Sequence, residues 1–281
     1  HAVIASLQRL GHRAQGFDVS QDINAFVQGF EQSFQGRKPD LVFNALHGQG
    51  GEDGMIQSLL AFYNVPFTHS SIQASAIGMR KDICRNVAQS INIRVPDGRV
   101  IQNSQEAAQE NQPWPCILKP LQEGSSLHVK KAENSAEYAQ ICHDHSYPLL
   151  CETFIPGQEI FTVVVGNHYL GALESVIPPH AIFDYHLKYH EKNLPHVPPQ
   201  GLSEQAHHEL RDWSMKMHTT LQCQGLTRSD FRYHPQTQKL YFLEINTQPG
   251  LTPGSLVPLL YQNQGYDYDH MIRDIIRCAL S

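Results

Sequence analysis

Long apolar runs are missing from this chain of 281 residues: no stretch of eighteen apolar residues occurs, so it is expected neither to span nor to anchor to a membrane. It also lacks any massed charge of one sign. Lys and Arg total 21 against 27 Asp and Glu, and the net charge of -6 is spread along the chain. A nucleic-acid-binding surface is therefore not expected, and any phosphate site has to be assembled from a few local groups. C-x-x-C is absent, and the six cysteines, Cys84, Cys116, Cys142, Cys151, Cys223 and Cys278, stand far apart. That spacing reads as reduced, mostly buried thiols in a cytoplasmic protein rather than a disulfide framework. H-E-x-x-H is absent as well. Among 17 histidines, His143-Asp144-His145 and His207-His208 lack the i, i+4 spacing that brings two metal ligands together on a helix, so they read as solvated side chains.

What is present divides into three textures, and the length suits two or three lobes that each bury a core. Val3, Ile4, Leu7 and Leu10 recur at helical spacing from the first residues, as if in mid-helix, and the expectation is that further chain precedes them. Gly11 ends that helix. Residues 14–19 and 39–45 (Leu41-Val42-Phe43) read as strands and 55–63 as a helix before Val65-Pro66-Phe67. This alternation predicts a small doubly wound parallel-sheet lobe over 1–75, with its first strand and loop missing. Residues 76–90 read as one helix, and short strands at 99–102 and 115–120 complete a small central lobe over 76–150. The third lobe, 151–281, follows a strand at 149–154 and begins with a hairpin of 159–165 and 168–173. Residues 178–199 are proline- and histidine-rich without periodicity, which reads as a functional loop. An amphipathic helix over 204–221 (Ala206, Leu210, Trp213, Met217, Leu221) precedes two strands joined by a turn around 235–238. The fold class expected is α/β (α+β), its last lobe built on antiparallel strands.

The strongest chemical signal lies on those last two strands. Arg228-Ser229-Asp230 and Glu244-Ile245-Asn246 each set two polar side chains two residues apart, hence on one face, amid Leu226, Phe231, Tyr241, Phe242 and Leu243. Unpaired carboxylates on such a buried face would be costly. Magnesium resolves the cost, because Asp230, Glu244 and the Asn246 amide oxygen are hard ligands that phosphate and water would complete. Arg228, permanently charged and forked, suits an anion developing beside the metal. An exposed hairpin with an ordinary ion pair would carry the same letters. Glu123-Gly124-Ser125-Ser126 follows Lys119-Pro120 and reads as a small-residue loop around phosphate oxygens, or simply as a flexible loop. Lys81 and Lys119 suit nucleotide phosphates, and Glu152 and Glu159 suit ribose and adenine edges. His47-Gly48-Gln49-Gly50-Gly51-Glu52-Asp53-Gly54 joins a strand to a helix, where a glycine turn and helix N-terminus attract an anion. Without G-x-G-x-x-G it is no dinucleotide fingerprint.

With these segments the chain resembles the D-alanine:D-alanine ligases along nearly its whole length. The resemblance rests on Val42 to Gly48, Gly51 to Gly54, Leu118-Lys119-Pro120, Glu123 to Ser126, Lys188-Tyr189, Arg228-Ser229-Asp230, Leu243 to Thr252 and Ser255 to Pro258, in the family's order. It implies an ATP-grasp fold and an ATP-dependent enzyme that joins two D-alanines through a D-alanyl phosphate, for peptidoglycan precursor synthesis. ATP would be held by Lys81, Lys119, Glu152 and Glu159, with the Phe154 and Ile155 backbone at the adenine. Two magnesium (or manganese) ions would sit on Asp230, Glu244 and Asn246. His47, Lys188, Ser255 and Leu256 would contact D-alanine, and Arg228 with the Gly250 amide would form an oxyanion hole. Tyr189 and Ser125 would brace a closed loop. A homodimer is implied as well. The family's N-terminal glycine-rich turn and glutamate have no counterpart here, Arg80 replaces a common aspartate, His128 a glycine and Gln248 a serine. Alternatives are a ligase making D-alanyl-D-lactate or D-alanyl-D-serine, and an ATP-binding relative without ligase activity.

Overall fold

The structure is a computed structural model that describes residues 1–19, 23–33, 37–108, 113–124, 126–177, 181–182 and 194–281. Two antiparallel sheets organise the described residues, the larger of them as expected for the last lobe. The smaller has the order β1-β4-β2-β3, from β1 (Gly98–Ile101), β2 (Cys116–Pro120), β3 (Lys130–Ala132) and β4 (Leu149–Thr153). The larger has the order β7-β6-β5-β8-β9, from β5 (Gln158–Val165), β6 (His168–Ser175), β7 (His196–Val197), β8 (Leu226–His234) and β9 (Lys239–Asn246).

Each sheet is half-buried, and the helices supply its cover. On the small sheet, Ile101, Cys116, Leu118, Leu149 and Cys151 pack against α6 (Ser104–Ala108) and α7 (Ser135–Asp144) through Ala107, Tyr138 and Cys142. On the large sheet, Phe231, Tyr233, Leu240, Phe242 and Ile245 meet α4 (Ile72–Met79), α5 (Lys81–Ser90) and α8 (Glu204–Thr220). Helix α8 buries the stripe expected of it: Ala206, Leu210 and Met217 are buried, and Trp213 packs at the margin. Ser203 caps it, accepting from the Ala206 amide at 3.2 Å. A further core joins Val163, Leu173 and Leu226 to α9 (Leu256–Asn263) and α10 (Tyr268–Leu280).

Helix α1 (Ala2–Arg9) lays its apolar stripe, Val3 and Leu7, against that last core, and Arg9 clasps Asp269 of α10 at 2.8 and 2.5 Å. The N-terminal residues therefore rest on the C-terminal helix, a contact no local pattern announces.

In three places the structure departs from these expectations. The parallel sheet of the first lobe is reduced, among the described residues, to one bridge, Val42 to Phe67, with the Val42 amide donating to the Pro66 carbonyl at 2.8 Å. Residues 14–19 form no strand, because no described residue offers them a ladder; Phe17 instead packs edge-on against Phe26 and Phe30 of α2 (Ile23–Ser33), above Ile56 and Leu60 of α3 (Met55–Phe62). The single helix expected over 76–90 is two. Arg80 takes an extended conformation (φ -90°, ψ 95°), ending α4 and starting α5, and the Lys81 amide donates to the Leu121 carbonyl at 3.0 Å rather than into a continuous helix. Arg80 pairs with Asp82 at 2.9 and 2.7 Å, fixing the break.

Candidate active site

The break at Arg80 sets Lys81 at a helix start, from which its ammonium donates to the Glu123 carbonyl at 2.6 Å and stands 3.6 Å from Glu244. Glu244 belongs to β9, whose pairing with β8 matches Arg228 with Asn246 and Asp230 with Glu244. Beyond Asp230 the register shifts, so that Phe231 faces Phe242 and Leu243 is the extra residue of a bulge. Strict period two would put Phe242 and Glu244 on one face. The bulge reverses the parity, leaving Phe242 in the core and turning Glu244 and Asn246 to the face that carries Arg228 and Asp230.

That face is densely charged. Arg228 holds Asp230 in a fork at 2.7 and 2.8 Å, the stronger geometry for such a pair. Burial by itself weakens the Arg228 charge, but Asp230, with Glu244 and Glu52 close by, more than offsets this and raises its hold on the proton. Arg232, the next residue on the same face, binds Glu159 at 2.8 Å and the Ile155 carbonyl at 2.9 Å. Glu152 is clasped from two sides, by Arg85 at 2.6 Å and Lys119 at 2.5 Å. The crossover 154–157 is pinned at its end, where a Cβ on Gly157 (φ +125°) would lie 2.1 Å from the Tyr233 carbonyl oxygen.

Opposite this face stands the loop 44–54. A Cβ on Gly51 would lie 2.6 Å from that of Leu46, so only glycine lets the loop fold back on itself. Its return brings Glu52 inward, where the carboxylate accepts from the Gly48 amide at 2.9 Å. Burial pushes the Glu52 carboxyl above its usual range; the Gly48 amide, His47 and Arg228 oppose the rise and Glu244 adds to it.

Two cavities result. One is lined by Lys81, Lys119, Glu152, Phe154, Ile155, Glu159, Asp230 and Glu244 among others. The second is lined by His47, Glu52, Lys81, Arg228, Glu244, Asn246, Gly250 and Ser255, with the Gly124 loop at its edge. Lys81 and Glu244 line both, so the two adjoin.

The C-terminus model of the D-ala D-ala ligases matches residues 82–277, and the N-terminus model matches 5–70. The chain belongs to the D-alanine–D-alanine ligase family. The D-alanine–D-alanine ligase of Gluconobacter oxydans is 36% identical to it, over 100% of this chain and 92% of that relative. A solved D-alanine–D-alanine ligase from Bacillus anthracis, complexed with ATP, shares the fold with a TM-score of 0.74 at 21% identity, over 93% of this chain and 83% of that one. The VanG D-Ala:D-Ser ligase from Enterococcus faecalis also gives 0.74, at 26% identity, over 86% and 74% of the two chains. The two antiparallel sheets are thus those of the ATP-grasp fold.

Of the residues expected from the ligase resemblance, fourteen are described, and all but Leu256 line these cavities. Leu256 begins α9 beside Ser255 and packs toward the core behind it. Ser125, Lys188 and Tyr189 lie outside the described residues, with most of the loop expected over 178–199. Sequence reasoning missed Arg85, Arg232 and the part played by Glu52. Arg232 continues the period-two series from Arg228 and Asp230, and Arg85 sits one helical turn after Lys81, so both had a local signal.

Proposed function

We propose that the adjoining cavities are the two halves of one ligase site, in which ATP activates the carboxylate of one D-alanine and the amine of a second captures it. Support comes first from one observation: Arg228, Asp230, Glu244 and Asn246 share a face of the β8–β9 hairpin where the two cavities meet. In this reading the chain divides into lobes over 1–75, 76–150 and 151–281. ATP lies in the first cavity, its phosphates toward Lys81 and Lys119, its base and ribose toward the Phe154–Ile155 backbone, Glu152 and Glu159. Arg85 and Arg232 hold the two glutamates, and through them the lysine and the crossover, in register.

Charge argues for a cation at the junction. Glu52, Asp230 and Glu244 stand against Lys81 and Arg228, three carboxylates against two cations. Asp230, Glu244 and the Asn246 amide oxygen offer hard donors on one face, a set that fits magnesium (or manganese), which keeps water and phosphate oxygens among its ligands. Two such ions, when bound, would screen the phosphates and draw charge from the oxygen that leaves.

The residues then divide the work. Lys81, Lys119 and Arg228 offset the repulsion between the D-alanine carboxylate and the γ-phosphate, so that the carboxylate oxygen bonds phosphorus as the bond to ADP breaks. The product is D-alanyl phosphate. The second D-alanine, its carboxylate near Ser255 and Leu256 at the α9 N-terminus, attacks the acyl carbon with its amine. Arg228 and the Gly250 amide hold the tetrahedral oxyanion, and phosphate leaves. His47 contacts substrate from the opposing loop. Lys188 is assigned to D-alanine as well, and Tyr189 with Ser125 to bracing a closed loop that protects the acyl phosphate from water. A homodimer and a cytoplasmic setting belong to the same proposal; in keeping with the second, all six cysteines are free and five are buried.

The test is isotopic. D-Alanine labelled with oxygen-18 in its carboxylate should pass one labelled oxygen to the released phosphate. Phosphate carrying no label would contradict an acyl-phosphate route.

A further inference from the structure

Gln248 follows the β9 residues of the site by two positions and is 1% exposed. Its backbone amide donates to the Asn246 side-chain oxygen at 2.8 Å. Its side chain reaches in the other direction, into the loop that carries His47 and Glu52. There its oxygen accepts from the Asn44 amide nitrogen at 2.8 Å, and its nitrogen donates to the Leu46 carbonyl. Asn44, 3% exposed, spends its remaining capacity inside the loop: it donates to the Gly51 carbonyl at 3.0 Å and accepts from the Leu46 amide at 3.1 Å. Gln57 adds a second donor to Gly51 at 2.9 Å.

We infer that Gln248 is a positioning residue for the substrate end of the cleft: it fixes the His47–Glu52 loop at a set distance from Asn246 and so sets the affinity for D-alanine. The inference rests on the ligase reading above. On its own side the loop is held to neighbouring elements, the Asn44 backbone amide donating to the Thr68 hydroxyl at 3.0 Å and the Ile56 amide of α3 to the Gly50 carbonyl at 3.2 Å. Between those anchors Gly48 and Gly50 take positive φ (72° and 84°) and bring no side chain to pack, and it is the Gln248 side chain that sets the loop's place relative to β9. A buried amide pair with its groups satisfied does fix place, because a shifted loop would strand donors and acceptors away from water. One residue thereby ties a candidate metal donor to the loop of a candidate substrate contact, through a partner, Asn44, that lies 204 positions away in sequence. No residue of the loop lines the first cavity, so nucleotide binding should be insensitive to the clamp.

The experiment is steady-state kinetics of the Q248M and Q248N variants, with magnesium, ATP and D-alanine varied in turn, beside thermal melting. Q248M keeps the backbone bond and the length but loses both side-chain bonds; Q248N keeps the groups and shortens the reach. Both should raise KM for D-alanine about tenfold, with kcat within about threefold and KM for ATP unchanged, the effect of losing one or two buried hydrogen bonds at one end of the site. Unchanged KM for D-alanine, equal rises for D-alanine and ATP, or failure of both variants to fold would each overturn the inference. Absence of D-alanine-dependent turnover in the unaltered chain would instead strike the ligase reading itself.

Discussion

The two faces of the β8–β9 hairpin share one backbone and follow opposite rules. One face, with Phe231, Tyr233, Leu240, Phe242 and Ile245, is fully buried against α4, α5 and α8. The other carries Arg228, Asp230, Arg232, Glu244 and Asn246 and lines cavities. Removing apolar surface from water stabilises the first. The second concentrates charge that only paired partners, and in the proposed reaction a metal and phosphates, make tolerable. The difference shows how the cleft is built here: the buried face holds the backbone rigid, and the bulge at Leu243 presents Glu244 and Asn246 to the cleft without disturbing the core.

The comparison can be broken on the buried side first. Phe242→Ala should destabilise the protein by about 3–5 kcal/mol, the cost of emptying a packed aromatic site, as read by urea denaturation. Turnover should then fall only in proportion to the unfolded fraction. On the charged side, Glu244→Gln should leave the urea midpoint nearly unchanged but cut turnover by about 100- to 1000-fold, comparable to the loss of one preorganised electrostatic contact. Its magnesium requirement should rise. If the two variants behaved alike, the division between faces would be wrong.

Acid sharpens the contrast. His218 on α8 is buried, its ring bonded to the Thr227 hydroxyl of β8 at 2.8 Å, and burial pushes it down to about 4. A depressed histidine binds fewer protons folded than unfolded, so its share of stability is complete above its ordinary value of 6.5 and is lost as pH falls toward about 4. The loss should approach about 3 kcal/mol, and His218→Gln should flatten it. Glu52 has the reverse sign. Its raised carboxyl binds more protons folded than unfolded, so stability declines as pH rises from the usual carboxylate range through the folded value. Glu52→Gln should therefore melt slightly higher than the unaltered protein at pH 7, with the difference vanishing in acid, while turnover drops.

Much of this was legible in the residues. Helices α1, α3 and α8, the β5–β6 hairpin and the polar pairs of β8 and β9 follow from period and turn chemistry alone. What was illegible depends on contacts distant in sequence. The bulge at Leu243 exists because Phe242 must reach the core while Glu244 faces the cleft, a demand set by α5 and α8. The break at Arg80 is stabilised by the Leu121 carbonyl, which accepts from the Lys81 amide across a long stretch of sequence. The Asn44–Gln248 pair joins opposite ends of the chain. The strand expected at 14–19 failed for the same reason, since extended residues become a strand only when a neighbour offers a ladder.

The central claim is that both cavities serve one reaction. The most direct measurement is ATP- and magnesium-dependent phosphate release by this chain with D-alanine, against L-alanine and against no amino acid, with the product mass determined. The account predicts release with D-alanine alone and the mass of D-alanyl-D-alanine. Release that ignores the amino acid, or none while ATP still binds, would contradict it.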